Sequence, residues 1–151
     1  YLIIDLPPGT GDVQLSLIQT APISGAIVVT TPSEVSLEDA RKAVNMFRHV
    51  NVEVLGIVEN MSYLVCPHCS ERVDVFSSGG GKRTAEEMGV SFLADLPLDP
   101  EVRAGGDTGV PVARRDGNDP HAASYVRMAE ATVARVAEVG APAVPRIEIS
   151  E

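Results

Sequence analysis

Short apolar runs alternate with amphipathic stretches along this chain. Tyr1–Ile4 (YLII), Gly25–Thr31 (GAIVVTT), Val54–Met61 (VLGIVENM) and Ser91–Leu96 (SFLADL) are apolar runs rich in branched residues, the pattern of strands buried on both faces. Between them lie segments with helical spacing. Val13, Leu15, Leu17 and Ile18 give an incomplete helical face over about residues 13–20, with Asp12 placed to cap it. Pro32 stops the second run, and Ser36 with Asp39 makes a capping-box-like start for a helix reaching about His49. A brief helix is expected over Lys82–Met88, stopped by Gly89. The longest, Pro120–Val139, puts Tyr125, Met128, Ala129, Thr132, Val133 and Val136 on one face. VDVF at 73–76 is strand-like, LPLDPEV reads as a loop leaving the fourth strand, and Gly105, Gly106, Gly109 and Gly117 punctuate an irregular stretch. The tail after Gly140 has two prolines and no helical pattern, so mobility is expected there. Together these units predict an α/β fold, a mostly parallel sheet flanked by helices.

Composition narrows the function classes. At 151 residues and 44% hydrophobic, the chain suits one domain with a real core. A net charge of −9 disfavours nucleic acid and anionic membranes as partners. No apolar run reaches the roughly 18 residues of a membrane helix. Tyr1 falls inside a strand pattern with no initiator methionine or signal-peptide pattern, as expected of a piece of a longer protein.

Three stretches carry candidate chemistry. In YLIIDLPPGTGD, Asp5 ends the first strand run, and Pro7, Pro8, Gly9 and Gly11 follow. A carboxylate at the carboxyl end of a buried parallel strand lies where open α/β sheets bind ligands. The prolines stiffen the exit, and the glycines let backbone approach an anion. The residues alone give an anion-and-metal corner, against the plainer alternative of a strand, a turn and a helix cap. Asn60 ends the third run, where its amide can pair with the edge of adenine or simply cap the following turn.

Cys66-Pro67-His68-Cys69 is the most informative stretch. CPHC occurs in thioredoxin-like oxidases, but the SERVDVF that follows is a poor helix start. A structural disulfide is disfavoured for a pair of cysteines in a cytoplasmic setting. Metal binding is the third possibility. Zinc or an iron–sulfur cluster usually takes four ligands, and each chain has two cysteines. A twofold homodimer would supply four thiolates, and His68 has little freedom to turn inward as a third ligand. The residues leave zinc and an iron–sulfur cluster both open. Ser78-Gly79-Gly80-Gly81-Lys82 is not a phosphate loop, since Phe76 stands where the first glycine belongs and Arg83 follows the lysine. A flexible helix lead-in, with a candidate dimer contact, is expected there. Asp107, Arg114 and Arg115 read as solvated charges, and His49 and His121 have no partners at metal spacing.

DLPPGTGD, GIVENMS at 56–62 and CPHC at 66–69 together resemble the Mrp/ApbC family, MinD-like P-loop ATPases that carry iron–sulfur clusters. The resemblance runs from Tyr1 to about Ala137. It implies that residues 1–139 are the C-terminal part of a P-loop ATPase domain, with 140–151 a tail and the lysine-bearing phosphate loop upstream of Tyr1. It also implies a role for each site. Asp5 would hold Mg²⁺ through a water, Gly9 would offer its N–H to the γ-phosphate, and Asn60 would recognise the base. Pro97 and Asp99 would lie beside the adenine of ATP. Cys66 and Cys69 would hold a labile [4Fe–4S] cluster at a homodimer interface for delivery to apoproteins. ATP hydrolysis would accompany transfer in the full-length protein and be absent from this piece. The rivals are a MinD- or ParA-like positioning ATPase, which leaves CPHC without a role, and a zinc-binding module without enzymatic activity.

Overall fold

Parallel strands need crossover connections, and the helical segments between the apolar runs supply them. The computed structural model describes residues 1–7, 11–115 and 119–140. In chain order these form α1 (Asp12–Thr20), β1 (Ala26–Thr30), α2 (Glu34–His49), β2 (Val54–Val65), β3 (Arg72–Val73), α3 (Gly80–Met88), β4 (Phe92–Pro97), α4 (Pro100–Thr108), a 3₁₀ turn (Val112–Arg114) and α5 (Pro120–Val139). β1 and β4 both pair in parallel with β2, which is therefore central. Val28 stands opposite Ile57 and Thr30 opposite Glu59 on one side. Glu59 faces Asp95 and Tyr63 faces Pro97 on the other. The mostly parallel α/β sheet is the one the sequence pattern predicts.

The core lies where α2 and α3 cover β1 and β2. Val28, Ala40, Val44, Phe47, Val52, Val54, Ile57 and Ala85 form one buried cluster. α2 begins at Glu34, two residues before the expected Ser36, because Ser33 is its cap and accepts the Ser36 N–H. α5 packs on β4 and β2, and Arg135 Nε donates to the Leu55 carbonyl at 3.4 Å.

Four expectations change. Tyr1–Ile4 is not a buried strand: Tyr1, Leu2 and Ile3 are 92%, 85% and 79% exposed. A strand exists only with a hydrogen-bonding partner, and among the described residues no strand pairs with this segment. β2 does not stop at Met61 but continues to Val65, where Leu64 and Val65 pair antiparallel with Val73 and Arg72. The strand expected at 73–76 shrinks accordingly to Arg72–Val73 plus an isolated bridge from Val75 to Ser77. LPLDPEV and the glycines after it do not form a loop throughout, since Pro100–Thr108 is helix and includes Gly105 and Gly106. The 141–151 tail and Gly117 lie outside the described residues. No helix among the described residues is long and apolar enough to cross a membrane.

Candidate functional site

The central strand delivers the cysteine pair. Beyond Leu64 and Val65 the chain turns through Cys66–Ser70 and returns as β3. The Cys66 N–H donates to the Glu71 carbonyl and the Ser70 N–H to the Cys66 carbonyl, both at 2.9 Å. Ser70 takes a left-handed φ of 60°, which closes the turn behind Cys69. Both thiols are unbridged, with Cys66 half-buried and Cys69 exposed. The backbone N–H of Cys69, then that of His68, and the Cys69 thiol point at the Cys66 sulfur and hold its thiol below the ordinary thiol range. Hydrogen bonds to the charged form favour the thiolate, which is the metal-binding form. Arg72 lies over the Tyr63 ring at 4.0 Å and reaches Asp95 on β4 at 3.7 Å, tying the hairpin to the sheet. Val65, Val73, Val75 and Phe76 leave an apolar surface exposed around it.

At the base of this hairpin stands a residue the sequence pattern did not single out. Glu59 is fully buried. It accepts the Ser62 hydroxyl at 2.5 Å and the Gly79 N–H at 3.1 Å through Oε1, and the Gly81 N–H through Oε2. The segment Ser78–Lys82 is thus no flexible lead-in. Gly79 is left-handed at φ 71°, Gly80 and Gly81 are buried, and the N-terminus of α3 already holds an anion, the Glu59 carboxylate.

The remaining candidates are dispersed. Asn60 is half-buried beside Glu59, and its Oδ1 accepts the Met61 N–H at 2.9 Å, the turn-capping arrangement. Pro97 ends β4, and Leu98 N–H donates to the Tyr63 carbonyl at 2.7 Å. Asp99 caps α4, accepting the Glu101 N–H at 2.9 Å through Oδ1, while Oδ2 meets His121 Nδ1 on α5. Both Asp99 oxygens therefore serve the fold. The hydrogen bond to Asp99 raises the His121 pKa; burial opposes it, and the nearby charge of Asp119 adds to the rise. Arg115 links the same corner, at 2.8 Å from Glu101 and 3.6 Å from Asp119. Asp107, expected to be solvated alone, meets Arg103 at 2.6 Å. Asp5 is exposed on the first segment, which forms no helix or strand, and Gly9 lies outside the described residues. Of the metal corner drawn from the sequence, Asp5, Pro7 and Gly11 fall among the described residues, and Pro8 and Gly9 do not. His121 had a findable signal, since an N-cap Asp stands two residues before it, but its partner is 22 residues away.

This architecture belongs to the MinD-like P-loop NTPases. A MinD cell division ATPase from Pyrococcus furiosus superposes with a TM-score of 0.58 at 23% identity, over 74% of this chain and 43% of that one. Residues 1–133 match the family described as ParA: NUBPL iron-transfer P-loop NTPase, and the chain belongs to that family. It is 50% identical over 129 residues to an iron-sulfur cluster carrier protein of Pseudomonas fragi, covering 85% of this chain and 45% of the relative. Against the iron-sulfur cluster transfer protein NUBPL of Dictyostelium discoideum it is 46% identical over 82% of this chain and 38% of that protein. A nucleotide-binding protein from Archaeoglobus fulgidus, solved in complex with ADP and with Co, gives a TM-score of 0.64 at 37% identity, over 77% of this chain and 48% of that one. The chain spans about half the length, or less, of the relatives it matches.

Proposed function

We propose that this chain is the cluster-bearing part of an ATP-binding iron–sulfur cluster carrier. Cys66 and Cys69 take two coordination positions, and the same pair from a second copy takes the other two. The [4Fe–4S] cluster is cargo, passed to apoproteins, with ATP hydrolysis coupled to the process in the full-length protein. The observation that carries this reading is the Cys66–Ser70 turn, whose N–H groups favour a thiolate at Cys66. Among the described residues no group of three or more His, Cys, Asp or Glu is arranged to hold a metal ion. A second copy is the simplest source of the missing ligands. Nucleotide binding draws support from the relative solved with ADP. Asn60, Pro97 and the backbone of the 97–99 loop are the proposed base contacts, with Asp99 holding that loop in place. Asp5, acting on Mg²⁺ through water, and the Gly9 N–H are the proposed phosphate-side contacts. A homodimer with no nucleic-acid or membrane partner, in the cytoplasm, completes the proposal.

Anaerobically purified protein carrying this chain is expected to hold about four iron and four sulfide per dimer by ligand count. Cys66→Ala and Cys69→Ser should remove both, because a hydroxyl is a poor ligand for soft metals, while nucleotide binding survives. Zinc without sulfide would select the zinc-module alternative. Full metal occupancy in a verified monomer would overturn the bridging arrangement.

A further inference from the structure

The cysteine pair sits on an excursion, residues 64–78, that leaves the main sheet just after Ser62 and Tyr63 and rejoins the fold at Gly79. We infer that Glu59 is the positioning residue of this excursion, its carboxylate clamping the points of departure and return. One buried group meets both ends: the Ser62 hydroxyl on the outgoing side, and the Gly79 and Gly81 N–H groups on the returning side. Three donors converge, and a carboxylate is the side chain that offers acceptors only. Gln in its place would turn an NH₂ toward at least one of them. Residues 71–77 are exposed. Among the described residues, and away from the clamp, the excursion is held by the Arg83–Ser78 hydrogen bond and the surface pair Arg72–Asp95, with the Tyr63–Pro97 pairing and the Leu98–Tyr63 hydrogen bond at its outgoing edge. A segment with so few buried contacts opens locally unless its base is fixed. The clamp fixes where Cys66 and Cys69 stand relative to the sheet. It rests on the metal-binding reading only for what the cysteines hold.

Glu59→Gln in the protein carrying this chain tests it with two readouts. Amide exchange read by mass spectrometry should rise about tenfold or more across residues 63–82, the loss of a charge-assisted hydrogen bond, while β1 and α2 keep their protection. Co²⁺ titration, followed by sulfur-to-cobalt charge-transfer absorption, should show weaker binding and a shifted band. Ser62→Ala removes one donor and keeps the carboxylate; it should give a smaller change in the same segment, and it carries the test if Glu59→Gln does not fold. Exchange that is unchanged, or that rises evenly through β1, β2 and α2, overturns the clamp. So does a wild-type cobalt band that Glu59→Gln leaves unaltered. Local exchange with no cobalt–thiolate band in the wild type upholds the clamp and removes the metal-binding reading instead.

Discussion

A methyl group at Gly81 would press on the Glu59 side chain. Its Cβ would stand 3.0 Å from Glu59 Cβ and 3.1 Å from Glu59 Oε2. Gly81→Ala should therefore cost about 1–3 kcal/mol through overpacking, read as a lower melting temperature, and an unchanged melt would mean that the carboxylate simply moves aside. Glu59 and Gly81 are 22 residues apart, with the whole cysteine excursion between them. Periodicity reports which face a residue occupies but not which distant residue it meets, so the glycine run was legible as special and its anion was not. His121 teaches the same lesson and adds a pH dependence. Its folded pKa lies above the ordinary value of about 6.5, chiefly because it hydrogen-bonds Asp99. A group raised on folding contributes its full stabilisation below the unfolded pKa and loses it as pH rises through the folded one. Thermal stability should thus fall as pH climbs upward from about 6.5, and His121→Asn should flatten that slope. Equal slopes in the two proteins, measured by melting across the range, would remove His121 from the account.

Elements were legible where apolar spacing was long and regular, as in β1, α2, β4 and α5. They were missed where polar residues or glycines interrupted it. Glu59 and Asn60 looked like the end of a strand, yet Glu59 is buried with its donors supplied from elsewhere, so β2 runs on. α4 was hidden by Gly105 and Gly106, although Asp99-Pro100 is a cap followed by proline at the first helical position. Asp99→Ala removes that cap and the partner of His121 together. It should destabilise by about 1–2 kcal/mol and also flatten the pH slope, a double effect that a role as cap alone would not give. In the core, Phe47 on α2 is 6% exposed, and Phe47→Ala should cost about 3–5 kcal/mol in denaturant unfolding.

For the whole molecule, the open sheet decides behaviour in solution. β1 pairs with β2 on one edge, and among the described residues no strand covers the other. Val29 on β1 is 62% exposed, and Tyr1–Ile3 is exposed nearly in full. Unpaired edges with apolar side chains associate, so the 151-residue chain should sediment as oligomers, and Val29→Lys should reduce them. A monodisperse wild-type monomer would refute this. The same chain should show no ATP turnover, because its lysine-bearing glycine segment is spent on Glu59 and offers phosphate no cradle. Turnover abolished by Asp5→Asn would reveal a phosphate site elsewhere. The apolar run Tyr1–Ile4 was legible as strand material, but strand formation depends on a neighbour, which no stretch of sequence states about itself. β2, by contrast, carries Asn60 and leads directly into Cys66. Between Glu59 and Tyr63 that strand carries two residues more than β4 opposite it, a bulge with Met61 left-handed at φ 55°, and regular register resumes only beyond it. Inserting one residue at 64–65, where β2 pairs in register with β3, would turn the side chains beyond it to the opposite face and with them Cys66. Insertions and deletions are therefore far less tolerable in that short span than in the exposed stretch at 74–77, which lies beyond that pairing.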